Sequence, residues 1–327
     1  MTISLLFGCC QIETSVRSLP PVRTFMTEVL GAEPIEQELA RQIAALMGNS
    51  GYDVDHLDCG GAVFQVNQPA RGMLFEGQKS IHESYLDRLG PCVANLNFFV
   101  DDIEHARETL MGMGAAVHIE GPSNVAAALG DYGPGNTRPG GGDRPFLFMG
   151  TREMFGFDLE IMEPNFLHFS RQSVQYPAFI TPGPSRADQP LRLQRLLIVV
   201  EDLAATHDAL CLAIAPASRS KPYSLRQGQL GKSFRIGRGG IEIEYCQPVG
   251  TSGPLREHLD SLGPGTLAVV FSAATPETVV ARQQERHGSA TDCAFDPLGL
   301  GEHETRIACR DLIGFDVILG PPEPDLH

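Results

Sequence analysis

Four short apolar stretches of this chain carry polar side chains at a spacing of two: Gln11 with Glu13, Gln65 with Asn67, Asn95 with Asn97, and Asp158 with Glu160. A positioned carboxylate can take a proton from a reacting group and return it, and a primary amide can hydrogen-bond an oxygen on which charge develops. Residues two apart on a strand share a face, so each pair points one way. A packed core does not favour such groups, because each one buried without a partner costs ~1–3 kcal/mol. The pattern therefore predicts a face that is wet or holds a polar ligand. A thinner set occupies the other half of the chain: Arg195, Glu242 and Glu244, among Leu197, Val270 and Asp316. There Arg195 and Glu244 can fill the space as an ion pair.

Other chemistry-bearing residues are less organised. His56 lies along Val54 and Asp58, and His303 lies between Glu302 and Glu304. His82, His105 and His207 fall in loop or helix contexts. None has the spacing of a metal-ligand pair, so these histidines read as surface or supporting groups. The 8 cysteines form no CxxC pair. Several sit inside apolar strands, as buried free thiols of a reducing cytoplasm do. Gly130–Pro145, GDYGPGNTRPGGGDRP, is too dense in glycine and proline for a strand or helix and lacks the GxxxxGKS/T order of a phosphate loop. It reads as a surface loop or as a lid over a pocket.

The elements that would position these residues recur. Leu89–Gly114, LGPCVANLNFFVDDIEHARETLMGMG, is a buried strand followed by a helix that Asp101 or Asp102 can cap and Gly114 stops. Leu262–Gly288 repeats it, with the same Leu-Gly-Pro opening. Arg152–Ile161, REMFGFDLEI, aligns without a gap to Arg310–Leu319, RDLIGFDVIL. Cys10–Gly31 and Leu193–Leu210 are again strand then helix; Gly60–Pro69 and Gly239–Pro248 are strand then proline. The chain thus reads as two duplicated halves, each of two β-α-β-β-β modules. Residues 1–165 form one pair of modules, 166–190 a proline-rich linker and 191–322 the second pair. Within the first half, Pro34–Gly51 reads as a helical insertion and Arg71–Asp87 as a connector. The residues after Gly320 read as a disordered tail.

This pattern resembles the vicinal oxygen chelate superfamily, which contains glyoxalase I, bleomycin-resistance proteins, methylmalonyl-CoA epimerase and extradiol dioxygenases. Gly90-Pro91 through Asn95–Ile103 carries the resemblance, with Phe25–Gly31 as a helix end and Leu159–Pro164 as a last strand. It implies an α+β fold in which four βαβββ modules pair into two open, cup-like mixed β-barrels with helices outside. It also implies four ligand positions per cup: Gln11, Gln65, Asn95 and Glu160 in the first, Arg195, Glu244, Ala268 and Ile318 in the second. The family's occupants are histidine and glutamate, with glutamine accepted at one position, and none of these eight is histidine. The expectation is accordingly no bound cofactor; a divalent metal, if held, would sit at Gln11, Gln65, Asn95 and Glu160.

Three functional readings follow. The first is a metal-independent isomerase or lyase acting next to a carbonyl of a small oxygenated molecule. Glu160 would be the base, Gln11, Gln65 and Asn95 would bind the oxygen, and Glu13, Asn67, Asn97 and Asp158 would line the cup. The second is a protein that sequesters an antibiotic-like molecule without chemistry. The third is a metal-dependent glyoxalase-like or dioxygenase-like enzyme. The formal net charge of -15 disfavours nucleic acid as a partner. No apolar run is long enough to span a bilayer. The short, uncharged start MTISLLFGCC reads as a first strand and not a signal peptide, which points to the cytoplasm. A monomer and a homodimer are both compatible with the sequence.

Overall fold

The structure is a computed structural model. It describes residues 2–5, 9, 11–35, 52–72, 74–75, 78–120, 146–162, 191–214, 218–219, 223–225, 229–235, 241–287 and 304–320. Of the expected helical insertion Pro34–Gly51, Pro34 belongs to a short strand and residues 36–51 lie outside the described residues, as do the glycine-rich segment 130–145, the linker 166–190 and the residues after Gly320.

The first half runs β1 (Gln11–Ser15), α1 (Leu19–Thr24, continued by a π turn over Phe25–Val29), β2 (Glu33–Pro34), β3 (Tyr52–Cys59) and β4 (Ala62–Pro69). A small hairpin, β5 (Leu74–Phe75) and β6 (Gln78–Lys79), leads into α2 (Ile81–Leu89). Then come β7 (Cys92–Phe99), α3 (Ile103–Gly112), β8 (Ala116–Glu120), β9 (Phe146–Gly150), a one-turn α4 (Arg152–Phe155) and β10 (Asp158–Met162). The second half repeats the plan. It runs β11 (Leu191–Val199), α5 (Leu203–Ala213), β12 (Ser218–Arg219), β13 (Tyr223–Leu225), β14 (Gln229–Arg235), β15 (Glu242–Gln247) and α6 (Pro254–Leu262). It ends with β16 (Gly265–Ala273), α7 (Pro276–His287), β17 (Thr305–Ile307), α8 (Arg310–Ile313) and β18 (Asp316–Gly320). Among the described residues the fourth module has two strands after its helix.

The helices start where the sequence supplies caps. The Asp102 carboxylate accepts from the His105 amide at 2.9 Å, and Asp202 accepts from the amides of Ala204 and Ala205 at 2.9 Å each. In α3 the apolar stripe Ile103, Ala106 and Leu110 is buried. Two mixed sheets result. The first has the order β2-β3-β4-β1-β7-β10-β9-β8, the second β12-β14-β15-β11-β16-β18-β17 with β13 beside β14. In each module the first and last strands pair in parallel, and the two modules of a half join through their first strands, antiparallel. Both sheets stay open at their ends. No helix among the described residues is long and apolar enough to cross a membrane.

Alternation then sorts the side chains. One face of each sheet feeds a continuous hydrophobic core shared by both halves, in which Phe64 meets Phe271 at 6.4 Å and Phe315 at 5.9 Å between ring centroids. The opposite face of the second sheet is apolar, built from Leu197, Val199, Ala268, Val270 and Ile318 and covered by Leu255 and Leu259 of α6. The opposite face of the first sheet is the polar one.

Candidate active site

Strand register brings the first-half polar residues together. Gln11 sits beside Val63 and Asn97, Glu13 beside Gln65 and Asn95, Asp158 beside Asn95, and Glu160 beside Asn97 and Phe148. Gln11, Glu13, Gln65, Asn67, Asn95, Asn97 and Asp158 are all buried. Glu160, on the same face, is half-buried.

The amides are partly spent on one another. Gln11 Nε2 donates to Gln65 Oε1, and Gln65 Nε2 donates to Glu13 Oε1 and, at 3.2 Å, to Asn67 Oδ1. Asn67 Nδ2 donates to Glu13 Oε1 at 2.8 Å and to the Thr14 carbonyl at 3.3 Å. Gln65 and Asn67 therefore have both N–H bonds committed. Gln11 commits one, and Asn95 commits one, to Glu160 Oε2 at 3.3 Å.

Glu160 is held well above the ordinary carboxylate range. Burial of its carboxyl is the main cause. The Glu13 carboxyl beside it comes next, through charge and a hydrogen bond between the two, while the amides of Asn95 and Asn97 pull the other way. Two histidines flank the pair. His82 Nε2 lies 3.6 Å from Glu13 Oε1 while its Nδ1 meets Ser15 Oγ at 2.8 Å; His56 Nε2 meets Gln65 Oε1 at 3.2 Å. Burial lowers both, His56 to about 4, so both rings are neutral near pH 7.

Asp158 is occupied differently. Its Oδ1 accepts from the amides of Thr151 and Arg152 at 2.8 Å each, and its Oδ2 accepts from Tyr85 OH, with Arg152 Nε 3.6 Å away. The Arg152 guanidinium continues to the carbonyls of Val93, at 2.6 Å, and Ala94, and lies 5.5 Å from the Tyr85 ring centroid. Asp158 thus ties α4 and α2 to the sheet. Asp316 does the same in the second half, accepting from the amides of Cys309 and Arg310 at 3.2 and 3.3 Å.

Sequence reasoning passed over α2. It lies in and just beyond the stretch read as a connector, yet it covers the polar face with His82, Glu83, Tyr85 and Leu86 buried. Its signal was the serine cap at Ser80 and the stop at Gly90.

In the second half Arg195 Nε bonds Glu244 Oε2 at 2.6 Å and its Nη2 bonds Glu304 Oε1 at 3.1 Å. Glu242 pairs with Arg195 across the strands. Ala268 and Ile318 are buried in the apolar layer under α6.

A transition metal, as the fold family implies, would have to sit among Gln11, Gln65, Asn95 and Glu160. Their chemistry does not fit it: three are neutral amides, two of them bonded to each other, and only the fourth is a carboxyl. Among the described residues no three His, Cys, Asp or Glu side chains converge on a metal-sized site. The second half offers Arg195, Ala268 and Ile318 at the matching positions, which fit no better.

No protein-family model matches the chain, and neither does any curated protein. Solved structures do. A triple mutant of 4-hydroxymandelate synthase from Streptomyces coelicolor superposes with a TM-score of 0.59 at 15% identity, over 98% of this chain and 95% of that one. The 2,2',3-trihydroxybiphenyl 1,2-dioxygenase of Sphingomonas wittichii superposes with a TM-score of 0.52 at 12% identity, over 98% and 91%. A xylose isomerase-like TIM barrel/4-hydroxyphenylpyruvate dioxygenase fusion protein gives 0.53 at 11%, over 99% of this chain and 51% of that one. At these identities the likeness is one of fold: the chain shares the paired-module architecture of these structures.

Proposed function

We propose that the chain is an enzyme that moves a proton next to a carbonyl of a small oxygenated molecule bound on the polar face of the first sheet, without a metal. The observation that carries this reading is the Glu13–Glu160 pair: two carboxyls brought together on the polar face, where burial and the neighbouring Glu13 carboxyl raise Glu160 above the ordinary carboxylate range. Once ionised, a raised carboxyl is a stronger base than a lone exposed glutamate. In the carboxylate form Glu160 takes the proton α to the carbonyl. The charge that develops on the oxygen is met by the uncommitted N–H groups of Gln11 and Asn95. Returning the proton to another carbon gives isomerisation; expelling a group from the enolate gives a lyase. Phe148, cross-strand neighbour of Glu160, is the apolar wall on one side. The fold relatives are themselves named as enzymes, which supports catalysis over mere binding.

Incubation of purified protein with a metabolite extract, followed by mass analysis, finds the substrate as a consumed species. Glu160→Gln is expected to abolish that consumption with the fold retained. Full activity in the variant sinks the assignment. Recovery of a bound, unchanged ligand from the wild type would instead support sequestration. Elemental analysis of the active protein is expected to show less than one transition-metal ion per chain.

A further inference from the structure

We infer that the polar face of the first sheet receives the ammonium group of its substrate, held by the Glu13 carboxylate and the Asn95 carbonyl oxygen. The inference rests on the proposed site and names the class of molecule: a small carbonyl compound that also carries a protonated amine.

The hydrogen-bond inventory leads to it. Glu13 Oε2 and Asn95 Oδ1 are buried oxygens of this cluster that accept no N–H or O–H from the protein among the described residues. Asn95 is fully buried and Glu13 is 3% exposed, so bulk water does not meet the need. Both atoms are acceptors, and their residues are cross-strand neighbours on β1 and β7. What is missing is a donor with more than one hydrogen, and an ammonium has three.

The charge balance agrees. Asp158 is matched by Arg152. Glu13 and Glu160 are matched by no lysine or arginine among the described residues: β1 brings Glu13, β3 brings His56, α2 brings His82, β10 brings Glu160 and Asp158, and α4 brings Arg152. The whole chain, at -15, steers cations toward this face. A bare metal ion fits less well, because the N–H groups of Gln65 and Asn67 already point at Glu13 Oε1.

Isothermal titration calorimetry of the full chain with benzylammonium chloride, benzyl alcohol and sodium benzoate tests this without turnover. The three probes share the ring that Phe148 can pack against and differ in the polar group. Benzylammonium is expected to bind at least about tenfold tighter than either neighbour. Glu13→Gln should weaken it about tenfold or more. Absence of benzylammonium binding, equal binding of all three probes, preference for benzoate, or displacement of the amine by magnesium would each overturn the inference. These outcomes are independent of whether Glu160→Gln stops turnover, so the ligand class and the reaction can fail separately.

Discussion

Glu160 and the buried histidines give the protein opposite responses to pH. Unfolded, Glu160 titrates near its ordinary value of 4.5; folded, it holds its proton to higher pH. Between the two values the native state carries a proton that the unfolded state has lost. Its contribution to stability is therefore complete below the ordinary value and is lost as pH rises through the raised one. His56 and His258 are lowered to about 4 and about 3, chiefly by burial. Their contribution is present above 6.5 and is lost as pH falls toward those values. Thermal midpoints measured across pH should show Glu160→Gln stabilised relative to wild type most strongly at alkaline pH; an unchanged difference across pH would contradict the raised titration of Glu160. His258 makes a second test. Both its ring nitrogens are buried without a partner among the described residues, beside Arg152 and Arg310. Since an unmet buried polar group costs ~1–3 kcal/mol, His258→Leu is expected to hold or raise the midpoint at pH 7 and to flatten the loss between pH 6.5 and 3, read by the same scans.

At the scale of elements, α2 and α6 show how a duplicated part diverges. Each precedes the first strand of an even-numbered module and ends at a left-handed glycine, Gly90 and Gly263. Each lies over its sheet's inner face. Helix α6 does so with Leu255 and Leu259, and α2 with His82 and Tyr85. Tyr85→Phe removes the bond to Asp158 and leaves Oδ2 to Arg152 alone. Urea unfolding should register a loss of about 1–2 kcal/mol, and no loss would mean that Tyr85 is not the tether of α2. The modules themselves were legible because Leu-Gly-Pro and Gly-Phe-Asp recur in phase, and the first-cup residues because alternation fixes their face. What was not legible depends on register. Nothing local in QIETS shows that Glu13 will lie against Glu160, since the two strands meet only through β7. Nor does Gln65 reveal that its amide is consumed by Glu13 and Asn67. Helix α2 was hidden by its polar residues, which face the cup and leave no clean apolar stripe.

At the scale of the molecule, the repeated Gly-Phe-Asp turns lock the halves together. Gly156, at φ +75°, packs against Ile198 of the second half, and Gly314, at φ +93°, against the first half's Cys92. A Cβ at Gly314 would lie 2.5 Å from the Cys92 backbone, which cannot yield. Gly314→Ala is therefore expected to cost about 3 kcal/mol or more, by chemical denaturation. With Phe64, Phe271 and Phe315 in one core, calorimetry should show a single transition for the chain, and either half expressed alone should fail to unfold cooperatively. Two separate transitions would show the seam to be weaker than its geometry. The seam also bears on how this protein can change over generations. A substitution in the outer packing of one copy must be tolerated by the other, whereas the inner faces answer only to themselves. Shape is thus inherited jointly and chemistry singly, so the second copy can lose its trade and still be indispensable as the surface on which the first is folded.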